Sequence, residues 1–445
     1  MRQQSFKDTL KLSGDIMEKP ISSAPASGMR DLVPNEVALR DWAIGIITES
    51  YQQFGFTRIE TPIMENINLL RGGEGGENLQ LIFEVLKRGD KLERELKEST
   101  VRKDSLADLG LRFDLTVPLV RFYANNVSTL PTPLKAIQIG HVFRAESPQV
   151  GRYRQFMQCD IDIIGVKTEI AEMELVQATS STLLELGFEN FTVRINDRRL
   201  LALLAESFGF AKEKTDRVFI TLDKLDKIGI DGVRKELEND GHAADATNKM
   251  IDFLTKSQSA KGDLTAQRAT LPDLVTDEIW KPLSDVVTAV QNIAGGKFKI
   301  EFDPTLVRGM GYYTGMIFEI GCEGYSSSVA GGGRYDKMVG KFSGRDVPAC
   351  GFSIGFERII SILSEKGFKP PSKKERIALI FDTDRDNSVD VLHAANELRK
   401  KNYIVGVYAR KKDMKKHLDQ LVAQDYSGYV PYRGKEAELE VKSLK

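Results

Sequence analysis

Three arginines stand at or beside segments patterned for burial: Arg144 in HVFRAESPQ, Arg308 in LVRGMGYYTG and Arg358 in GFSIGFERI. A guanidinium in such a place is either paired with an acid or used on a ligand. It keeps its charge at any physiological pH and grips carboxylates and phosphates through paired hydrogen bonds. Three of them suit a cleft that takes a polyphosphate, a carboxylate and a polar side chain together. A structural ion pair is the other use for each. The run AGGGRYD allows either a strand kink or a close backbone approach to a ligand. It is no Walker-type phosphate loop, since no GxxxxGK[ST] follows, and no GxGxxG turn. Tyr312 and Tyr313 would alternate faces on a strand, so that one phenol faces any pocket; core packing is the alternative.

Regular elements must position these groups. A helix is expected from Asn35 as cap, with Val37, Trp42, Ile46, Ile47 and Tyr51 on its apolar face and Gly55 as its stop. LRFD (111–114) reads as a strand, and TVPLVRFYANN as a helix starting at Thr116. KAIQIGHVFR (135–144) and QFMQCDIDIIG (155–165) read as two strands joined by a charged loop. A helix over 169–186 ends at Gly187. Residues 197–290 are rich in helix, lysine and acid and read as an inserted module. Strands return at KFKIEFD and MIFEIG, and a helix containing GFSIGFERIISIL closes the block. GFKPPSKK around 367–374 has linker chemistry. From 375 onward, IALIF, a helix near 386–401, IVGVY, a helix near 412–423 and YSGYVPY give a β-α-β-α-β rhythm.

Bulk properties narrow the class. A chain of 445 residues exceeds one core, and 63 basic against 64 acidic residues argue against a histone-like or tail-driven binder. The cysteines Cys159, Cys322 and Cys350 form no CxxC pair, and the four histidines show no metal-ligand spacing. No apolar run approaches the roughly twenty residues of a membrane span. The first twenty residues lack the apolar segment of a secretion signal, so a cytoplasmic protein is expected.

In chain order, five segments resemble the signatures of the histidyl-tRNA synthetases, a class II aminoacyl-tRNA synthetase family. FGFTRIETPIME is similar to motif 1, FRAESPQVGRYRQFMQCDIDIIG to motif 2, and GFSIGFERI to motif 3. LVRGMGYYTGMIFEI and SSVAGGGRYD resemble the two histidine-specific signatures. The likeness spans roughly residues 28–445 and is weakest in the helical insert. It implies an α+β catalytic domain (28–196 and 291–366) with a central antiparallel sheet flanked by helices. A lead-in (1–27), a helical insertion (197–290), a linker (367–374) and a small α/β anticodon-binding domain (375–445) complete the expected architecture.

The resemblance also implies roles. Arg144 would hold the α-phosphate of ATP and the histidine carboxylate, and Arg308 would lie beside the same phosphate, where other class II enzymes place a metal ion. Phe156 would stack on adenine with Arg358 on the opposite face, and Glu146 would meet the adenine edge. Asp114, Thr116 and Gln158 would receive the ammonium group; Asp162 and Tyr313, with Tyr312 and Tyr335 nearby, would line the imidazole pocket. These types suit the ligand, because an ammonium needs acceptors and an imidazole has two nitrogens to satisfy. Partners implied are L-histidine, ATP with Mg2+, histidine tRNA, and a second copy docked through motif 1 around Pro62. Gln149, Arg152 and Arg154 would meet the acceptor end of the tRNA, and Lys411, Lys412, Lys415 and Lys416 the anticodon region. The chain departs from some bacterial relatives in carrying Asp114 and Asp162 in place of glutamate and Gly311 in place of aspartate. Two rivals share the resemblance: a histidine-sensing regulatory subunit of ATP phosphoribosyltransferase, and the tRNA-binding module of a stress kinase. No HRD or DFG kinase segment accompanies this chain.

Overall fold

A computed structural model describes residues 22–73, 76–98, 100, 102–147, 153–307, 312–325, 327–371 and 374–444. The chain divides into two units, Met1–Phe368 and Lys369–Lys445.

In the first unit the strands are β1 (Thr57–Arg58), β2 (Met64–Asn66), β3 (Phe83–Leu86), β4 (Ala107–Leu111), β5 (Leu134–Phe143), β6 (Gln155–Ile164), β7 (Phe191–Asp197), β8 (Lys299–Phe302), β9 (Met316–Cys322), β10 (Ala330–Arg334) and β11 (Ala349–Ile354). Eight form one sheet in the order β1-β5-β6-β11-β10-β9-β7-β8. Its interior pairs are antiparallel, whereas the two edge pairs, β1–β5 and β7–β8, are parallel. The expected antiparallel sheet is therefore mixed at its margins.

Alternation along β6 decides which face does what. Cys159, Ile161 and Ile163 are buried in the core on one face, against the helices Pro34–Gln53 and Ile170–Glu185. Gln158, Asp160 and Asp162 occupy the other. Helix Pro34–Gln53 begins one residue before the expected Asn35. Pro34 needs no N–H partner at the first helical position, and the Glu36 carboxylate accepts the Val33 N–H at 3.2 Å. Its buried stripe runs through Leu39, Ala43, Ile47 and Tyr51 at four-residue spacing, and Val37 is exposed.

Three further expectations are corrected. LRFD lies mostly beyond β4, which ends at Leu111, because Arg112 turns inward and donates to the carbonyl oxygens of Thr61 and His141. GFSI is strand β11, and the following helix starts only at Phe356. Tyr312 and Tyr313 precede β9 in a turn, so they do not alternate, and both line the cleft described below.

Between the parallel strands β7 and β8 run helices from Arg198 to Ala294. The last, Asp277–Ala294, buries Trp280, Leu283, Val286, Val287 and Val290. Trp280 meets Phe302 of β8 edge-on at 5.2 Å, as expected of a helix that crosses between parallel strands. A separate small sheet, β2-β4-β3, takes in only the end of the motif 1 segment, Met64 and Glu65, whereas its Thr57 and Arg58 form β1 at the edge of the large sheet.

The second unit holds β12 (Arg376–Phe381), β13 (Ile404–Ala409), β14 (Gly428–Pro431) and β15 (Lys442–Ser443) in the order β13-β12-β14-β15. The first three are parallel, joined through helices Ser388–Lys400 and Met414–Ala423; β15 is antiparallel to β14. Ile377 and Leu379 of β12 pack into one apolar cluster, Ala378 and Ile380 into another, so the central strand is covered on both sides.

Candidate active site

The polar face of β6 floors a cleft of about 280 Å³. Across the sheet, Ser353 of β11 lies opposite Asp160 and Gly351 opposite Asp162. A side chain at Gly351 would put its first carbon 2.0 Å from an oxygen of Asp162, and one at Gly332 would meet the Gly351 carbonyl at the same distance. The glycine run is there because the strands and the Asp162 carboxylate leave no room for more.

At one end of the cleft, Tyr335 donates to Asp162 Oδ1 at 2.6 Å, and Tyr312 and Tyr313 add their rings. In the same cleft, Asp114 Oδ1 accepts the Val117 N–H at 3.1 Å beside Thr116, while Gln158, farther along β6 from Asp162, donates through Nε2 to Ser353 Oγ at 3.3 Å. One oxygen each of Asp114, Gln158, Asp160 and Asp162 is buried without a hydrogen-bond partner. Burial pushes the carboxyl of Asp114 up to about 6, against the pull of the Val117 N–H and Arg144. Burial likewise pushes Asp162 up to about 7, with the Tyr335 hydroxyl opposing and Asp114 adding to the rise. Asp160 rises well above the carboxylate range through burial and the charge of Asp162. A row of acceptors in search of positive charge can take an ammonium and a ring N–H.

Arg144 and Arg358 line the same cleft. Arg144 Nε donates to the Phe113 carbonyl at 3.1 Å, and its guanidinium lies 5.1 Å from the centre of the Phe156 ring. Arg358, in the first turn of helix Phe356–Glu365, donates to the backbone carbonyl of Ser328 and, at 3.3 Å, to its hydroxyl. That helix is fixed by Glu357, which receives Arg40 in a two-pronged bridge (2.7 and 2.8 Å) and the Met157 N–H at 3.1 Å. Neighbouring residues of one motif thus divide the work between holding the helix and lining the cleft.

The structure accordingly brings together Asp114, Thr116, Arg144, Gln158, Asp162, Tyr312, Tyr313, Tyr335 and Arg358. Phe156 stands behind Arg144 and does not line the cleft, nor does half-buried Glu146. Arg308, Gly311, Gln149 and Arg152 lie outside the described residues. Arg154 donates through Nε to the Glu146 carbonyl at 2.9 Å, and its backbone N–H donates to the Gly28 carbonyl at 2.7 Å. Lys411, Lys412, Lys415 and Lys416 are exposed in the second unit. They flank the start of helix Met414–Ala423, where Asp413 caps the Lys416 N–H at 3.0 Å. Asp160, Ser328 and Ser353 are cleft residues that sequence reasoning missed. The alternation in QFMQCDIDII was signal enough for Asp160, since it shares a face with Gln158 and Asp162.

Comparison with known proteins gives this geometry a context. A family model described as histidyl-tRNA synthetase matches residues 28–359. A histidine–tRNA ligase of Leifsonia xyli is 43% identical over 93% of this chain and 95% of its own length. One from Christiangramia forsetii is 34% identical over 88% of each chain. Among solved structures, a histidyl-tRNA synthetase from Nostoc sp. superposes with a TM-score of 0.75 at 27% identity, over 93% of this chain and 92% of that one. A Bacillus halodurans protein described as an ATP phosphoribosyltransferase regulatory subunit/histidyl-tRNA synthetase gives 0.74 at 22% identity, over 94% and 100%. That last likeness speaks to fold alone. With the matched model, the relatives and the cleft in agreement, the chain belongs to the histidyl-tRNA synthetase family.

Proposed function

We propose that the chain is a histidine–tRNA ligase, which activates L-histidine with ATP and transfers it to the 3′ end of histidine tRNA. The observation that carries this reading is the polarity of the cleft. Unpartnered buried oxygens on Asp114, Gln158, Asp160 and Asp162 occupy its floor, and the guanidinium groups of Arg144 and Arg358 line the same space. An amino acid carrying a cationic ammonium, a carboxylate and an N–H-bearing ring matches that division, with a triphosphate alongside.

In this reading Asp114, Thr116 and Gln158 hold the ammonium, and Asp162 with Tyr313, Tyr312 and Tyr335 holds the imidazole. Tyr335 already occupies one Asp162 oxygen and leaves the other for a ring N–H. Rejection of apolar competitors follows, since they would leave these groups unpaired. The histidine carboxylate attacks the α-phosphorus in line and pyrophosphate leaves. Arg144 and Arg308 stabilise the charge that develops and Arg358 holds the nucleotide, whose adenine would extend past the cleft lining to reach Phe156 and Glu146. The terminal 3′-hydroxyl of tRNA then attacks the adenylate carbonyl. Among the described residues no group of three or more His, Cys, Asp or Glu side chains could hold a metal ion. Mg2+ would arrive with ATP and would supply further positive charge beside the reacting phosphates.

The wider assignments are Gln149, Arg152 and Arg154 at the tRNA acceptor end, Lys411, Lys412, Lys415 and Lys416 at the anticodon region, a homodimer through the Pro62 region, and the cytoplasm as location. No helix among the described residues is long and apolar enough to cross a membrane. Helices within 197–290 form an accessory module, and residues 375–445 the anticodon-binding domain.

Histidine-dependent ATP–pyrophosphate exchange, followed by charging of a histidine tRNA transcript, tests the reading. Both activities are expected. Histidine binding without exchange would instead favour a regulatory histidine sensor.

A further inference from the structure

Asp160 sits in the middle strand of the cleft floor, 4% exposed, with one carboxylate oxygen that has no partner. Its own strand gives it Gln158 on one side and Asp162 on the other, all three on the cleft face. Across the sheet it faces Ser353, the residue whose hydroxyl receives the Gln158 amide, and on the opposite side Gln138, whose amide donates to the Leu115 carbonyl. Arg112 and Arg144 attract it from a distance, and their hydrogen bonds go to the carbonyl oxygens of Thr61, His141 and Phe113. A buried carboxyl beside two others, with no ion pair of its own, is costly to ionise until a cation joins it. Such a group is retained where a ligand completes it.

We propose that Asp160 is a specificity-determining residue of the ammonium subsite, acting with Asp114 and Gln158 to demand a protonated α-amino group. Its neighbours decide the subsite. Asp162 is tied to Tyr335 at the ring end, whereas Asp160 shares Ser353 with Gln158 at the other. The inference rests on the ligase reading and adds to it a contact that Asp114, Thr116 and Gln158 do not supply. The pocket then answers the single ammonium charge with two carboxyls, so a ligand lacking that charge leaves both stranded in a buried site.

Asp160→Asn tests this, with Asp160→Ala as a second variant that removes the group outright. The expected result is a histidine KM raised about tenfold to a hundredfold, as for a hydrogen bond to a charged group, with the KM for ATP unchanged. Inhibition by histidinol, which keeps the ammonium, should weaken in parallel. Inhibition by 4-methylimidazole, which lacks it, should not. The melting temperature without ligand should hold or rise, and the upward shift caused by histidine should shrink. A lower ligand-free melting temperature with an unchanged histidine KM would make Asp160 structural and overturn the proposal. So would a loss of 4-methylimidazole inhibition with histidinol unaffected. Wild-type protein that shows neither exchange nor a melting shift with histidine would overturn the ligase reading itself, whatever the variants do.

Discussion

At the scale of single residues, the buried carboxyls of the cleft resist ionisation, and pH reports on it. Burial raises Asp114 and Asp162 from an ordinary 3.8 to about 6 and about 7, so the fold prefers them protonated. Their contribution to stability is fully present below about pH 4 and is lost as pH rises through 6 to 7. The ligand-free melting temperature should therefore fall over that window, while the increment given by histidine grows. A histidine increment independent of pH between 5 and 8 would remove these carboxyls from the pocket. Arg308→Ala should abolish exchange, leaving the melting temperature intact, and retained exchange would take Arg308 out of the mechanism. Gly351→Ala forces Asp162 aside and should cost about a hundredfold in exchange, the scale of an ångström of misplacement. Residue types in motif order made most of this cleft legible, because arginine, aspartate and tyrosine carry recognisable chemistry. Asp160 was passed over for want of a motif role, although the strand pattern alone puts it beside its neighbours.

At the scale of elements, the two long strands around the motif 2 loop and the helix starting at Thr116 were readable from residue pattern, although the Val117 N–H at the start of that helix is taken by Asp114. Boundaries failed where a tertiary contact overrode local pattern. Arg112 ends a strand early because its guanidinium is claimed by Thr61 and His141, and GFSI pairs in the sheet although it runs into a helical sequence. Neither contact is visible in a window of ten residues. In the second unit, the lysines around the start of helix Met414–Ala423 make few commitments beyond the Lys411–Gln420 bond of 2.9 Å. Changing Lys411, Lys412, Lys415 and Lys416 together to alanine should weaken tRNA binding and flatten its salt dependence, leaving exchange as it was. Unaltered affinity across a salt series would move the anticodon surface elsewhere.

At the scale of the whole molecule, the small β2-β4-β3 sheet turns Met64, Phe83, Val85, Leu109 and Leu111 to one side, with Met64 and Leu109 exposed and the others half-buried. Pro62 and Ile63 lead into it, also exposed. An apolar sheet face of this kind is expected to be covered in solution. The homodimer proposed through the Pro62 region should sediment as such in the unaltered protein and as monomer at micromolar concentration after Met64→Glu with Leu109→Glu; an unaltered protein that is monomeric would overturn the dimer, and a dimer that survives both changes would place the interface elsewhere.

The parallel pairing of β7 with β8 has a kinetic corollary. Strands separated by about a hundred residues of chain meet slowly as a free coil, and the entropy of bringing them together falls if the intervening segment has already collapsed. The helices between Arg198 and Ala294 shorten that journey. Thus β8 should gain protection beside β7 before β11 gains it beside β6, whose paired residues Ile164 and Ala349 lie much farther apart in the chain, when refolding is followed by pulsed hydrogen exchange.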